Sequence, residues 1–171
     1  MKAESAGAVL EFLIPAVENE AALTRKVILA VPADKGHFRP DEKAMSALEL
    51  CWHIAAADAF FLTAVTTGVF PPFSKMPDDI KTPKNVAAWY DAQVTANLAK
   101  LKSMSGEQAA KIVDSPFGPR PAITFLNLSI NHTSHHRGQL STYLRPMGAK
   151  VPSIYGTSRD DKEAKEAAAK H

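Results

Sequence analysis

Residues 121–145 read PAITFLNLSINHTSHHRGQLSTYLR. Pro121 suits the first turn of a helix, where its missing N–H is not needed, and Pro146 and Gly148 close the pattern after Arg145. On a helix turning about 100° per residue, with His132 at zero, Phe125 and Tyr143 fall near about 20°, Leu128 near about −40°, Leu140 near about 80° and Met147 near about 60°. His136 falls near about 40°, inside the same apolar face, whereas Asn127, Asn131, Ser134, Arg137, Ser141 and Arg145 take the other side or its borders. His132 and His136 are therefore expected to point into a core. Two neutral imidazoles buried together leave up to about four ring nitrogens in need of partners. A metal ion answers one on each ring, and two histidines one helical turn apart are a common way of presenting nitrogen to zinc.

Outward from this helix, prolines and glycines break the chain at 31–40, 68–83, 115–121 and 148–156, leaving four long segments. The first runs from about Pro15 to Val31, and Val9, Leu10 and Phe12 extend it backwards past a possible kink at Pro15. A second, from about Lys43 to Thr67, contains the capping-box spacing Ser46 to Glu49, with Asp41 as an alternative start. From Leu50 to Val65 it is apolar on almost every side, the mark of a helix buried within a bundle. The third, Lys84 to Met104, turns Val86, Trp89, Tyr90, Val94, Leu98 and Leu101 inward, and Gly106 to Val113 adds a short helix. Strand patterns are lacking, and Val151 to Tyr155 reads as an extended segment packed back on the helices. The expected fold is all-α, a four-helix bundle with long crossover connections. Residues 1–156 form the single domain and 157–171 a frayed polar tail.

A third nitrogen should come from another helix. His53 is the one histidine of the buried second segment, and its face carries Leu50, Ala57, Phe60 and Ala64, whose small alanines leave room. Metal ligation is accordingly assigned to His53, His132 and His136. Three imidazoles leave a coordination position for water or substrate. His135, at about −60° on the same wheel, sits at the edge of the face. His37 lies in a polar linker and His171 at the end of the sequence, so both are read as surface residues. Cys51 is read as a small buried apolar residue.

These residues resemble the DinB-like (damage-inducible) superfamily of metal-dependent helical bundles. His132-Thr-Ser-His-His136-Arg-Gly-Gln139 is similar to that family's His-x-x-x-His-Arg-Gly-Gln motif. Arg39-Pro40, Met45-Ser46 and Trp52-His53-Ile54-Ala55 are similar to its first-ligand region, and the likeness spans roughly 9–156. The resemblance implies an up-down-down-up bundle, a metal on three histidines and frequent homodimers. Its members include transferases that join a low-molecular-weight thiol to an electrophile. The expected function is thus divalent-metal binding, with zinc or nickel, in a thiol S-transferase acting on a small-molecule substrate. A metal-dependent hydrolase with Glu49 as base, or a non-catalytic stress-associated metal protein, are the alternatives. On helical position Arg137 is assigned a surface or interface contact, and Gln139 a hydrogen bond to a ligand or to a group behind it.

Composition narrows the class. The chain of 171 residues, 46% hydrophobic, can enclose one core. Twenty Lys plus Arg against eighteen Asp plus Glu give a net charge of +2, and the basic residues are interleaved with acids, so no nucleic-acid partner is expected. One cysteine excludes an internal disulfide, no signal peptide is read at the N-terminus, and Asp58 interrupts the most apolar run, so a cytoplasmic protein with no membrane span is expected. The apolar stretches Phe60-Phe61-Leu62 and Val69 to Phe73 point to a homodimer.

Overall fold

The computed structural model describes residues 1–169; His171 lies outside them. Four long helices carry the fold: α1 (Ala3–Ala30), α2 (Ala47–Thr67), α3 (Pro83–Ser103) and α5 (Ala122–Leu144). A short α4 (Gly106–Ala110) and a final α6 (Arg159–Ala168) accompany them. Cross-helix pairs give the directions. Asp58 meets Tyr90 and Thr66 meets Asn97, so α2 and α3 run parallel. His53 meets His136 and Asp58 meets Ser129, so α2 and α5 are antiparallel. Arg25 meets Asp91 and Glu18 meets Lys102, so α1 and α3 are antiparallel too. The order is up, down, down, up, and two consecutive parallel helices require the long 68–82 connection.

Helix starts are written locally. Ser46 accepts from the Glu49 amide while the Glu49 carboxylate accepts from the Ser46 amide at 2.7 Å, which fixes α2 at Ala47 and settles the choice against Asp41. Thr82 with Asn85 and Ser105 with Gln108 repeat the device at α3 and α4. Gly68, at φ 77°, ends α2 in the left-handed conformation that a side chain disfavours. The first helix begins well before Pro15 and passes through it. Pro15 lies on the exposed side of α1, where a missing helix hydrogen bond costs least. At the bundle's end Gly106 packs against the start of α1 so closely that an added Cβ would stand 2.3 Å from the Ala3 carbonyl oxygen.

Two readings change in the structure. Pro121 caps α5 from outside the helix, because Arg120–Pro121 (β2) pairs with Ile112–Val113 (β1) in a minimal antiparallel ladder where no strand was expected. The segment expected to be a polar tail carries α6, whose first-turn carboxylates bind back: Asp160 accepts from the Val151 amide and Asp161 from the Ser153 amide and hydroxyl. By length and composition α2, interrupted by Asp58, is the one described helix that could cross a membrane; α3 and α5 pack on it, and 72% of its apolar window is buried in the bundle.

The buried stripe of α5 is also turned from the expected one. Leu126, Ser129, Thr133, Arg137, Leu140 and Leu144 are buried, and their centre lies about 100° from His132 on the wheel. Three of these positions are polar, so an apolar wheel places the core about 70° away. The histidines consequently border the core and remain half-buried.

Candidate metal centre

His53 on α2 and His132 and His136 on α5 converge: one ring nitrogen from each lies within 4.8 Å of the other two. His53 Nε2 and His136 Nε2 are 3.2 Å apart. Two nitrogens each bound at about 2.0–2.1 Å to one tetrahedral ion stand about 3.3–3.4 Å apart, so this spacing suits a shared metal. The His132 ring is 4.4 Å from that of His136 and 5.0 Å from that of His53, centroid to centroid. His132 Nδ1 and the adjacent Thr133 Oγ1 are buried without a hydrogen-bond partner among the described residues. An unanswered imidazole nitrogen beside two others fits a cation site. Among the described residues no fourth histidine, cysteine or carboxylate joins the group.

Electrostatics keeps the three rings neutral and so able to donate lone pairs. Burial lowers the pKa of His53, and a charged His136 would lower it further. Burial, followed by the neighbouring His136, His53 and His135, takes His132 down to about 4. Burial lowers His136 too, with Gln139 acting against it. Gln139 does what the sequence allowed: its Oε1 lies 2.7 Å from His136 Nδ1. Accepting the Nδ1 proton leaves Nε2, the nitrogen facing His53, with the free lone pair.

The other sequence candidates fall elsewhere. His135 is exposed with its ring against His136, and His37 is exposed. Burial pushes the Cys51 thiol up to about 12, which leaves it inert. The Glu49 carboxylate is held by the Ser46 amide and by Arg39 at 2.8 Å, and these contacts keep its pKa below the usual range.

Arg137 corrects the sequence reading outright. It is 1% exposed and points from α5 toward α1. Nη1 donates to the Glu20 carbonyl at 3.1 Å and to Thr24 Oγ1 at 3.2 Å, and Nη2 pairs with the Glu20 carboxylate at 2.5 Å and with the Tyr155 hydroxyl. Deeper in the bundle Asp58 accepts from Ser129 at 2.5 Å and from Tyr90 at 2.6 Å. Burial raises the Asp58 pKa, and these hydrogen bonds oppose the rise. The members of this buried network lie far apart in the chain and share no local pattern.

The sequence model of the DinB family matches residues 11–168. The chain belongs to the DinB family. Among relatives of this DinB chain, the uncharacterized protein YjoA of Bacillus subtilis is 30% identical over 129 residues, 74% of this chain and 82% of YjoA. The uncharacterized protein YrdA of the same organism is 23% identical over 156 residues, 89% of this chain and 91% of YrdA. Crystal structures agree on the fold. A DinB-like protein of Bacillus cereus superposes with a TM-score of 0.74 at 26% identity, covering 85% of this chain and 97% of that one. The YjoA crystal structure gives 0.71 at 23%, covering 85% and 99%.

Proposed function

We propose that this DinB chain binds one divalent transition metal, zinc or nickel, on His53, His132 and His136, and uses it to join a low-molecular-weight thiol to an electrophile. The observation that carries the reading is the convergence of three neutral, half-buried imidazoles with no fourth ligand among the described residues. Structural zinc is ordinarily four-coordinate and rich in sulfur, whereas three protein ligands with an open position are the pattern of catalytic sites. When bound, the metal supplies Lewis acidity that lowers the pKa of a thiol or water entering that position. The chain's own part is to hold three nitrogens at fixed spacing, to set the His136 tautomer through Gln139 and to keep the rings unprotonated by burial. Such a reaction belongs in the cytoplasm, where small thiols stay reduced.

Hydrolysis is disfavoured because Glu49, its candidate base, is committed to capping α2 and to Arg39. The test is a cobalt-loaded protein titrated with a panel of cellular thiols. Sulfur entering the open position adds charge-transfer absorption that imidazole and water lack, and His53→Ala abolishes the change. Stoichiometric cobalt whose spectrum no thiol alters, together with no consumption of thiol in the presence of electrophiles, would overturn the transferase reading.

A further inference from the structure

Two phenyl rings stand in solvent near the triad, one against His53 and one against Phe61, and both are held there. Phe73 is 51% exposed with its ring 6.3 Å from His53, and it follows the stiff pair Pro71-Pro72. Its neighbour Ser74 is tied down by Trp52, whose indole N–H donates to the Ser74 carbonyl at 3.2 Å. Phe117, 55% exposed, sits at the tip of the hairpin between β1 and β2. Ser115 fixes that tip: its hydroxyl accepts from the Phe117 amide at 3.0 Å, and its carbonyl accepts from Gly118, which turns at φ 86°.

Between these ends the rings are continuous. Phe73 packs on Phe60 at 5.7 Å, Phe60 on Phe61 at 5.5 Å and Phe61 on Phe117 at 6.2 Å, while Phe61 also meets the His132 ring at 5.8 Å. A chain of packed rings, exposed at Phe73 and Phe117 and buried at Phe61, thus runs along one flank of the triad and touches two of its three histidines.

We infer that this strip is a binding wall for a small molecule bearing a flat apolar group, the electrophilic partner in the proposed reaction, whose other end reaches the histidines. The inference rests on the reading of the triad as a metal site. The area argues for a small molecule over a second chain. Two half-exposed phenyls leave on the order of 200 Å² to cover, against about 800 Å² per partner in a stable complex. A flat ring of naphthalene size suits so small an aromatic surface, and offset stacking on phenyl faces supplies its recognition.

The probe is 1-naphthol, titrated by NMR into metal-free, zinc-loaded and cobalt-loaded protein. Binding to all three forms is expected, with its proton lines broadened by cobalt and not by zinc. Phe73→Ser and Phe117→Ser should each weaken binding at least fivefold and leave metal content and helicity unchanged. Stoichiometric cobalt without broadening of the bound probe, or affinity unaltered in both variants, would overturn the inference. Variants that turn a dimer into a monomer while naphthol binds as before would assign the strip to a second copy and overturn it likewise. Naphthol that binds through the two phenylalanines to a protein taking up no metal would leave the wall standing and sink the metal reading instead.

Discussion

His136 and Arg137 are consecutive residues of one helix, and they serve opposite kinds of site. Both Arg137 Nη atoms and both Asp58 oxygens are answered by protein groups. Three imidazoles on the α2 side crowd together, with His132 Nδ1 lacking any partner among the described residues. Both clusters are polar and both are at least partly withdrawn from water, so polarity alone does not separate structure from function. Completeness does. A polar cluster whose hydrogen bonds close on themselves specifies packing, and one left with open lone pairs is shaped for something the chain does not contain.

The sharpest way to break this contrast is to remove one member from each side. Arg137→Ala leaves Glu20 without its buried partner, and a loss of about 3–5 kcal/mol of unfolding free energy is expected in urea titration. The fraction that stays folded should keep its metal; a loss of metal at unchanged stability would show that the two sites are not separate. His132→Ala or His136→Ala should do the reverse, removing most of the bound metal by elemental analysis while shifting the stability of the metal-free protein by no more than about 1 kcal/mol. Stoichiometric metal retained in both variants would discard the triad.

Acidity should act on the two sides in opposite senses. The Asp58 pKa is raised in the fold, so its contribution to stability is fully present below the ordinary carboxylate value of 3.8 and fades as pH rises through the raised value. Relative to wild type, Asp58→Asn should therefore flatten the decline in stability above that point. The histidine pKa values are lowered, so their contribution is present above 6.5 and fades as pH falls, in the case of His132 down to about 4. His132→Ala should remove part of that acid-side slope in the metal-free protein. Paired thermal melts from pH 4 to 7 would read both slopes, and slopes of the same sign would refute the assignment.

Smaller effects grade the metal side itself. Gln139→Ala frees the His136 ring to adopt the wrong tautomer and should weaken metal affinity by about tenfold, measured by competition with a chelator. His135→Ala should change affinity least of all, since its exposed ring stands outside the converging nitrogens. An equal loss in the two variants would mean that orientation by Gln139 is unimportant.

How much of this was legible follows from sequence distance. The capping box at Ser46 and Glu49 is closed within three residues, and α2 begins where it says. His132 and His136 announce themselves by one-turn spacing, and His53 by being the one histidine on a helix apolar all round. Arg137 could not be read in the same way. Its partners Glu20 and Thr24 lie 117 and 113 residues away, and a wheel that scores apolar side chains sends an arginine outward. Ser129 and Thr133 mislead it likewise, so an apolar wheel places the core of α5 on the side where the histidines are. The ladder at Ile112 and Arg120 escaped because two residues per strand carry no alternation.

Tyr155 closes the circuit begun at Glu20, donating to its carboxylate at 2.8 Å across 135 residues of chain. The ribosome makes these two ends of the contact in that order. Helix α1 emerges first with the acidic half of a buried ion pair, then waits for nearly all the remaining sequence before Arg137 and Tyr155 exist to meet it. The bundle therefore cannot be completed helix by helix as it is synthesised, and its final closure is a long-range step of the kind that slows folding. A nascent chain halted before residue 137 would hold the first helix with Glu20 still unpaired.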